Sequence, residues 1–351
     1  MGKLLPLERF HIYLLPVMLL TLGILPATAA ASADDDFLIL IHSGSGLSAY
    51  CQEDRRFYPI RDHVVELSIS SRGDLIFKDD NGDIHFGRVR SDGRLARIEE
   101  EIKVSAKLID SDDRAVISDD GKVIVAYRPR RLRVFQFKAG TLVKTSEVAV
   151  KGDLACPAIS HDNTRVAFYH RERPKDGYTL SCLDIVTGSF RPLNREKIVP
   201  ISLSGAWTLP PRWNRKDQYI TVENGASHPG QSVVSLLRVK DGKTLPSSSY
   251  LWADANHLAV FACEHGKLLY SSSDVDSQFE ETAAAKPSAT EVPLADFQGF
   301  EVIASRQNGA DYVFQDVHGN FYHYQSPTAR LTTLGRTENM PARIFLVERP
   351  L

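Results

Sequence analysis

Cysteine is scarce in this 351-residue chain. There are four, Cys51, Cys156, Cys182 and Cys263, and no C-x-x-C pair, which excludes a zinc ribbon or a thioredoxin-like redox motif. An excess of positive charge is also missing. With 42 basic and 44 acidic residues, the chain lacks the strongly basic domain that general nucleic-acid binding requires. Beyond residue 33 no apolar run approaches the ~20 residues of a membrane span. The eleven histidines include no closely spaced metal-ligand pair. Gly44-Ser45-Gly46-Leu47-Ser48 lacks the G-x-S-x-G frame and the strand-to-helix setting of a nucleophile elbow. Asp79-Asp80-Asn81-Gly82-Asp83 lacks the order of an EF-hand. Asn81-Gly82, between two alternating segments, reads as a hairpin turn. Ser118-Asp119-Asp120-Gly121 compresses the S-x-D-x-G order of a sialidase-type Asp-box and reads as a turn. The sequence therefore assigns no catalytic residue, no metal and no cofactor.

What is present begins with a targeting signal. Lys3 and Arg9 precede an apolar stretch of 14 residues, Ile12–Leu25. Ala27-Thr28-Ala29 and Ala31-Ser32-Ala33 then offer small-residue cleavage sites. The expectation is a secretory signal over residues 1–29, with cleavage as late as 33, and a periplasmic or secreted protein over 30–351. No transmembrane span remains after cleavage, and the net charge of the mature chain is −3. An oxidising compartment would allow disulfides. Cys156 and Cys182 fall in one repeat unit, where a staple is possible. The alternative is isolated buried thiols.

The main feature is a repeat. Ile159-Ser160-His161-Asp162-Asn163-Thr164-Arg165-Val166-Ala167-Phe168 places an apolar and a small polar residue before an Asp/Asn turn and an alternating strand. Related segments begin at Ile69, Ile117, Trp213, Trp252 and Ala304, so the six copies are spaced by 48, 42, 54, 39 and 52 residues. Such periods fit four-stranded blades of roughly 40–50 residues. Asp, Asn and Gly supply the positive-φ or side-chain-bonded positions of a tight hairpin. The expected architecture is all-β: one β-propeller of seven four-stranded blades, with six as the alternative. Phe37–His42 opens a unit without its first strand, and Ala342–Val347 is a strand without a blade. Pairing these two segments would close the ring.

The segment Ile159–Phe168, followed by Leu183-Asp184-Ile185-Val186-Thr187-Gly188, resembles the TolB-type and WD40-like propeller repeat. That repeat reads F-S-P-D-G-x-x-I-A-F and runs on into a D-x-x-x-G turn. The Pro after Ser is missing from every copy here, and there is no room for the α/β domain that precedes the propeller in TolB. The resemblance implies the propeller fold and an exported location.

Two loops between second and third strands concentrate positive charge. One carries Arg128, Arg130, Arg131 and Arg133, and the next carries Arg171, Arg173 and Lys175. Placed on one face by neighbouring blades, they would form a patch for a protein partner, such as an acidic segment or an envelope component, with arginine forks receiving carboxylates. Glu172 and Asp176 oppose that reading by neutralising part of the charge. Trp213 and Trp252, at equivalent repeat positions, read as core or channel-lining packing and not as a carbohydrate platform. Asp274–Pro293 reads as a mobile insertion. These features favour an exported non-catalytic scaffold, a monomer or a subunit of a hetero-complex. The alternatives are a propeller enzyme (hydrolase, lyase or lactonase) with its site in the central channel, and a glycan or small-ligand sensor.

Overall fold

The computed structural model describes residues 37–348 except 45, 93–94, 139–140, 195–209, 226–231, 248, 266, 281–288, 295–296, 307–309 and 337–340. The targeting signal lies outside the described residues. Seven four-stranded antiparallel sheets follow one another along the chain. Blade 2 is β4 (Val64–Ile69), β5 (Asp74–Asp79), β6 (Ile84–Ser91) and β7 (Ala96–Lys103). Blade 3 is β8 (Arg114–Ile117), β9 (Val123–Arg128), β10 (Arg131–Lys138) and β11 (Thr141–Ala149). Blade 4 is β12 (Asp153–Ile159), β13 (Arg165–Arg171), β14 (Thr179–Asp184) and β15 (Phe190–Pro192). Blade 5 is β16 (Arg212–Trp213), β17 (Tyr219–Gly225), β18 (Ser232–Arg238) and β19 (Thr244–Ser247). Blade 6 is β20 (Leu251–Trp252), β21 (His257–Glu264), β22 (Lys267–Asp274) and β23 (Thr290–Val292). Blade 7 is β24 (Phe300–Ser305), β25 (Asp311–Asp316), β26 (Asn320–Gln325) and β27 (Arg330–Arg336).

Blade 1 closes the ring. The C-terminal β28 (Pro341–Glu348) pairs antiparallel with β1 (Phe37–Ser43), which continues into β2 (Gly46–Cys51) and β3 (Arg56–Asp62). The register sets Leu38 opposite Val347 and Ile41 opposite Ile344. This is the expected closure, and the blade count is seven.

Alternation explains why the middle strands read as unbroken apolar runs. On β13, Val166 and Phe168 pack toward blade 3, while Ala167 and Tyr169 pack toward blade 5. On β9, Val125 and Tyr127 face blade 4, and Ile124 and Ala126 face blade 2. Both faces of each blade are therefore buried, as with any sheet covered on two sides. The apolar core is accordingly divided into seven clusters, one at each blade junction.

The repeat motif caps the first hairpin of the blade. In blades 2, 3 and 4 the serine hydroxyl accepts the backbone N–H that opens the second strand: Asp74 N to Ser70 Oγ at 3.0 Å, Val123 N to Ser118 Oγ at 2.9 Å and Arg165 N to Ser160 Oγ at 2.9 Å. In blade 5, Asn214 takes the serine's place and accepts from Tyr219 N at 2.9 Å. The turn residue Gly73, Gly121, Asn163 or Asp217 holds a positive φ in each. At Gly121, where φ is +76°, a Cβ would collide with the Asp74 side chain at the start of β5, so any other residue there would be strained and would displace Asp74.

Three expectations are refined. Asn81-Gly82 is a hairpin turn, with Gly82 N donating to Asp79 O at 3.1 Å. The Cys156–Cys182 staple is absent, because β13 lies between β12 and β14. The thiols are thus two strand spacings apart, about 9–10 Å, beyond the ~7 Å that a disulfide spans. Cys51, Cys156 and Cys182 form no disulfide, and the Cys263 side chain lies outside the described residues. Within the expected insertion, Val275–Glu280 forms helix α1 with Val275 and Phe279 buried, and Thr290–Val292 is an outer strand. Residues 281–288 lie outside the description. No helix among the described residues is long and apolar enough to cross a membrane.

Candidate functional site at the channel mouth

The turns after the first strands emerge at one end of the ring. There they surround a cavity of about 340 Å³ at the mouth of the central channel. Its wall includes Ile69, Ala304 and residues 344–348 of β28, the closing strand. Its charged rim comes from separate blades: Arg72 from blade 2, Asp119 and Asp120 from blade 3, His161 from blade 4, Arg212 and Arg215 from blade 5, Arg306 from blade 7 and Glu348 from blade 1.

A polar contact at this end bridges every blade junction. Glu348 N donates to Ser71 O at 2.7 Å, joining blades 1 and 2, and Ser71 N donates to Asp119 O at 3.0 Å, joining 2 and 3. His161 Nδ1 lies 3.4 Å from Asp119 Oδ2, joining 3 and 4. Asp217 accepts from the backbone of His161 at 2.8 Å and of Asp162 at 2.9 Å, joining 4 and 5. Asn214 Nδ2 donates to Ala255 O at 2.6 Å, joining 5 and 6. Ser305 Oγ donates to Trp252 O at 3.2 Å, joining 6 and 7. Arg306 lies 3.9 Å from Glu348, joining 7 and 1. The two tryptophans act alike beneath this rim. Trp213 Nε1 donates to Ala158 O and Trp252 Nε1 to Arg212 O, both at 3.0 Å, each tying its blade to the one before.

The carboxylates of the mouth are committed to these ties. Burial of the His161 ring favours its neutral form, but the hydrogen bond and charge of Asp119 outweigh that, and Asp217 adds to them, so its pKa is raised. Burial opposes ionisation of Asp119, yet His161 holds its carboxyl below the usual range. Burial likewise opposes Asp120, but hydrogen bonds from Lys122, Asn163 and Ser118 hold it down to about 2. Glu348 is shared with Arg306, which also lies 3.4 Å from Asp311 and stacks on Phe37. Arg72, Arg212 and Arg215 differ. Among the described residues no carboxylate lies within ion-pair distance of any of them. Arg72 and Arg215 are exposed, and Arg212 sits half-buried over the Tyr250 ring.

The sequence places the basic residues of the expected patch in the loops between second and third strands, but only Arg130, Arg173 and Lys175 lie there. Arg128 ends β9, Arg131 and Arg133 lie on β10 and Arg171 ends β13, all toward the ends of these strands opposite the mouth. Arg128, Arg131 and Arg133 do gather, but around a carboxylate. Asp113 is fully buried and accepts from Arg131 at 3.1 Å and from Arg133, with Arg128 at 3.9 Å. Arg171 pairs with Asp153 at 3.0 Å and stacks on Tyr178. Arg130, Arg173 and Lys175 are exposed. Among the described residues no hydrogen bond or ion pair joins the two loops.

The sequence reading did not single out Arg72, Arg212, Arg215, Arg306 or His161. A signal for them existed: all five lie within or beside the copies of the repeat motif, whose turns a ring must gather at one end. Phe345 is the one Phe, Tyr or Trp among the described residues that line the cavity. Among the described residues no three His, Cys, Asp or Glu side chains gather as metal ligands would.

No protein-family model matches the chain, and no curated protein matches its sequence. Similarity is found among solved structures. A Bacteroides fragilis protein described as a candidate 6-phosphogluconolactonase superposes with a TM-score of 0.52 at 15% identity, over 90% of this chain and 99% of that one. Hydrazine synthase of Kuenenia stuttgartiensis aligns with a TM-score of 0.48 at 13% identity, over 84% of this chain and 90% of that one. This likeness is one of fold: the chain is a seven-bladed β-propeller.

Proposed function

We propose that this propeller is an exported, non-catalytic scaffold that holds a protein partner at the mouth of its central channel. The observation that carries this reading is the pattern of commitment at the mouth. Its carboxylates are spent on joining blades, while among the described residues no carboxylate lies within ion-pair distance of Arg72, Arg212 or Arg215. A rim fixed at all of its junctions is a rigid surface, and rigid presentation lowers the ordering cost of binding. The repeat's likeness to TolB-type and WD40-like propellers and the N-terminal targeting signal support an exported location, in the periplasm or outside the cell. The exposed Arg130, Arg173 and Lys175 at the other end offer a second, weaker contact surface.

Affinity capture from the native envelope or secretome tests this. A stoichiometric protein partner should be retained by Arg130→Glu/Arg173→Glu and lost from Arg72→Glu/Arg215→Glu. Loss from neither variant, or only from the first, would overturn the assignment of the mouth.

One contact favours a second reading, an enzyme working in the channel. The half-buried His161 and the more exposed Asp119 pair at the cavity, the arrangement of a general base and the group that orients it. The Bacteroides protein's description as a lactonase candidate makes lactone and ester hydrolysis the first assay. Turnover abolished by His161→Gln would favour the enzyme.

A further inference from the structure

We infer that the channel mouth is an oxyanion site whose ligand is a compact group bearing several negatively charged oxygens, a phosphate or a cluster of carboxylates. The inference takes its location from the scaffold reading and adds the chemistry of what is held. Arg72 reaches the cavity from blade 2, and Arg212 and Arg215 reach it from blade 5, three blades further round a seven-blade ring. These two positions are nearly opposite, so the guanidinium groups approach the cavity from facing sides. Arg306 comes from blade 7, two blades from each. It completes a threefold distribution, although Asp311, Glu348 and Phe37 already engage it.

A single carboxylate could satisfy one fork only. Facing forks instead suit an anion with oxygens on more than one side, because each guanidinium donates two parallel hydrogen bonds in its own plane. The carboxylates of the cavity wall, and Asp74 beside Arg72, each have another partner. Asp119 is held by His161, Asp120 by Lys122 and Glu348 by Arg306, while Asp74, close to Arg72 in sequence, is taken by Arg88 at 2.5 Å. A volume of about 340 Å³ accommodates such a group together with a short stretch of the molecule that carries it. The carrier can be a free small molecule or an acidic segment of a partner chain, since both present the same oxygens.

Titration of the purified protein separates these sources. The probes are pyrophosphate, the tricarboxylate tricarballylate and a hexaglutamate peptide, with a hexaserine peptide as the neutral control, followed by calorimetry at low and high salt. At least one anionic probe should bind, weaken with salt, and lose about tenfold or more in affinity in Arg72→Gln and in Arg215→Gln, while Lys267→Gln, at an exposed lysine away from both surfaces, leaves it unchanged. Binding of the peptide alone assigns the site to a partner segment, and binding of the small anions assigns it to a free ligand. No anionic probe binding above the neutral control would overturn the inference, as would binding indifferent to both mouth variants. Arg72 and Arg215 are exposed, so a thermal melt distinguishes lost binding from lost folding. A co-purifying partner with no probe bound defeats the oxyanion chemistry and leaves the scaffold standing. Probes that bind with no partner found do the reverse.

Discussion

The two ends of the propeller use the same residue types for opposite purposes. At the end bearing the turns between second and third strands, arginine is dense along the sequence and electrostatically spent: three guanidinium groups surround the buried Asp113, and a fourth pairs with Asp153. At the channel mouth arginine is sparse along the sequence, with contributions from blades 2, 5 and 7, yet the carboxylates are the spent partners there. The difference shows that local charge density in a sequence does not measure available charge. A buried acid placed between two blades can absorb a whole arginine run, whereas single arginines at the equivalent turn of several repeats add up once the ring closes.

Removing the acid that absorbs the arginine run should break the comparison most severely. Asp113→Ala leaves three guanidinium groups around a buried site without their shared anion, and such a loss costs about 3–5 kcal/mol. Urea unfolding should register it as a large fall in midpoint with unchanged slope. If the arginines relax into solvent the loss will be under ~1 kcal/mol, and the far end would then supply free charge as the mouth does. Next in size is Trp252→Phe. It removes the indole donor between blades 6 and 5 and leaves Arg212 O without it. An unmade buried hydrogen bond costs about 1–3 kcal/mol, which thermal unfolding can read. Trp213→Phe, which loses the equivalent bond to Ala158 O, should cost a similar amount. Unequal costs would show that the two repeats are not energetic equivalents.

Much of the fold was legible because each blade repeats its local rules. The strands of blades 3, 4 and 7 could be read from alternation, and the turn residues from their need for positive φ. The missing first strand near Phe37 and the surplus strand near Ile344 together implied closure before any coordinates. The short inner strands of blades 5 and 6, each of two residues, carry too little pattern to be read without the motif that follows them. Helix α1 was hidden for another reason. Only Val275 and Phe279 anchor it, inside a stretch rich in Ser, Glu and Ala whose composition suggests a loop. The site was less legible than the fold. Asp113 looks like one more turn acid in Asp110-Ser111-Asp112-Asp113, and nothing local states that it lies buried beneath Arg131 and Arg133. The mouth arginines are separated by up to 234 positions, and only the order of blades around the ring brings them together.

The smallest expected effect belongs to the tie between blades 3 and 4, and it depends on pH. His161 has a folded pKa above its ordinary value because Asp119 and Asp217 overcome the cost of burial. The stabilisation it contributes is therefore complete below the unfolded value near 6.5 and is lost as pH rises through the folded value. Asp119 has a folded pKa below its ordinary value, so its contribution is present above about 3.9 and is lost as pH falls through the folded value. The pair thus stabilises fully between the two unfolded values, about 3.9 and 6.5, and weakens as pH rises above that interval. Because the Asp119 side chain is half exposed, solvent screening limits the effect to under about 1 kcal/mol. The His161→Gln variant should have a flatter stability profile between pH 6 and 8 than the parent protein, while sharing its decline in strong acid. A parent profile that rises across that interval, or one that His161→Gln leaves unaltered, would show that the rim is held by its backbone contacts, Ser71 to Asp119 O and His161 N to Asp217, with the imidazole contributing nothing measurable.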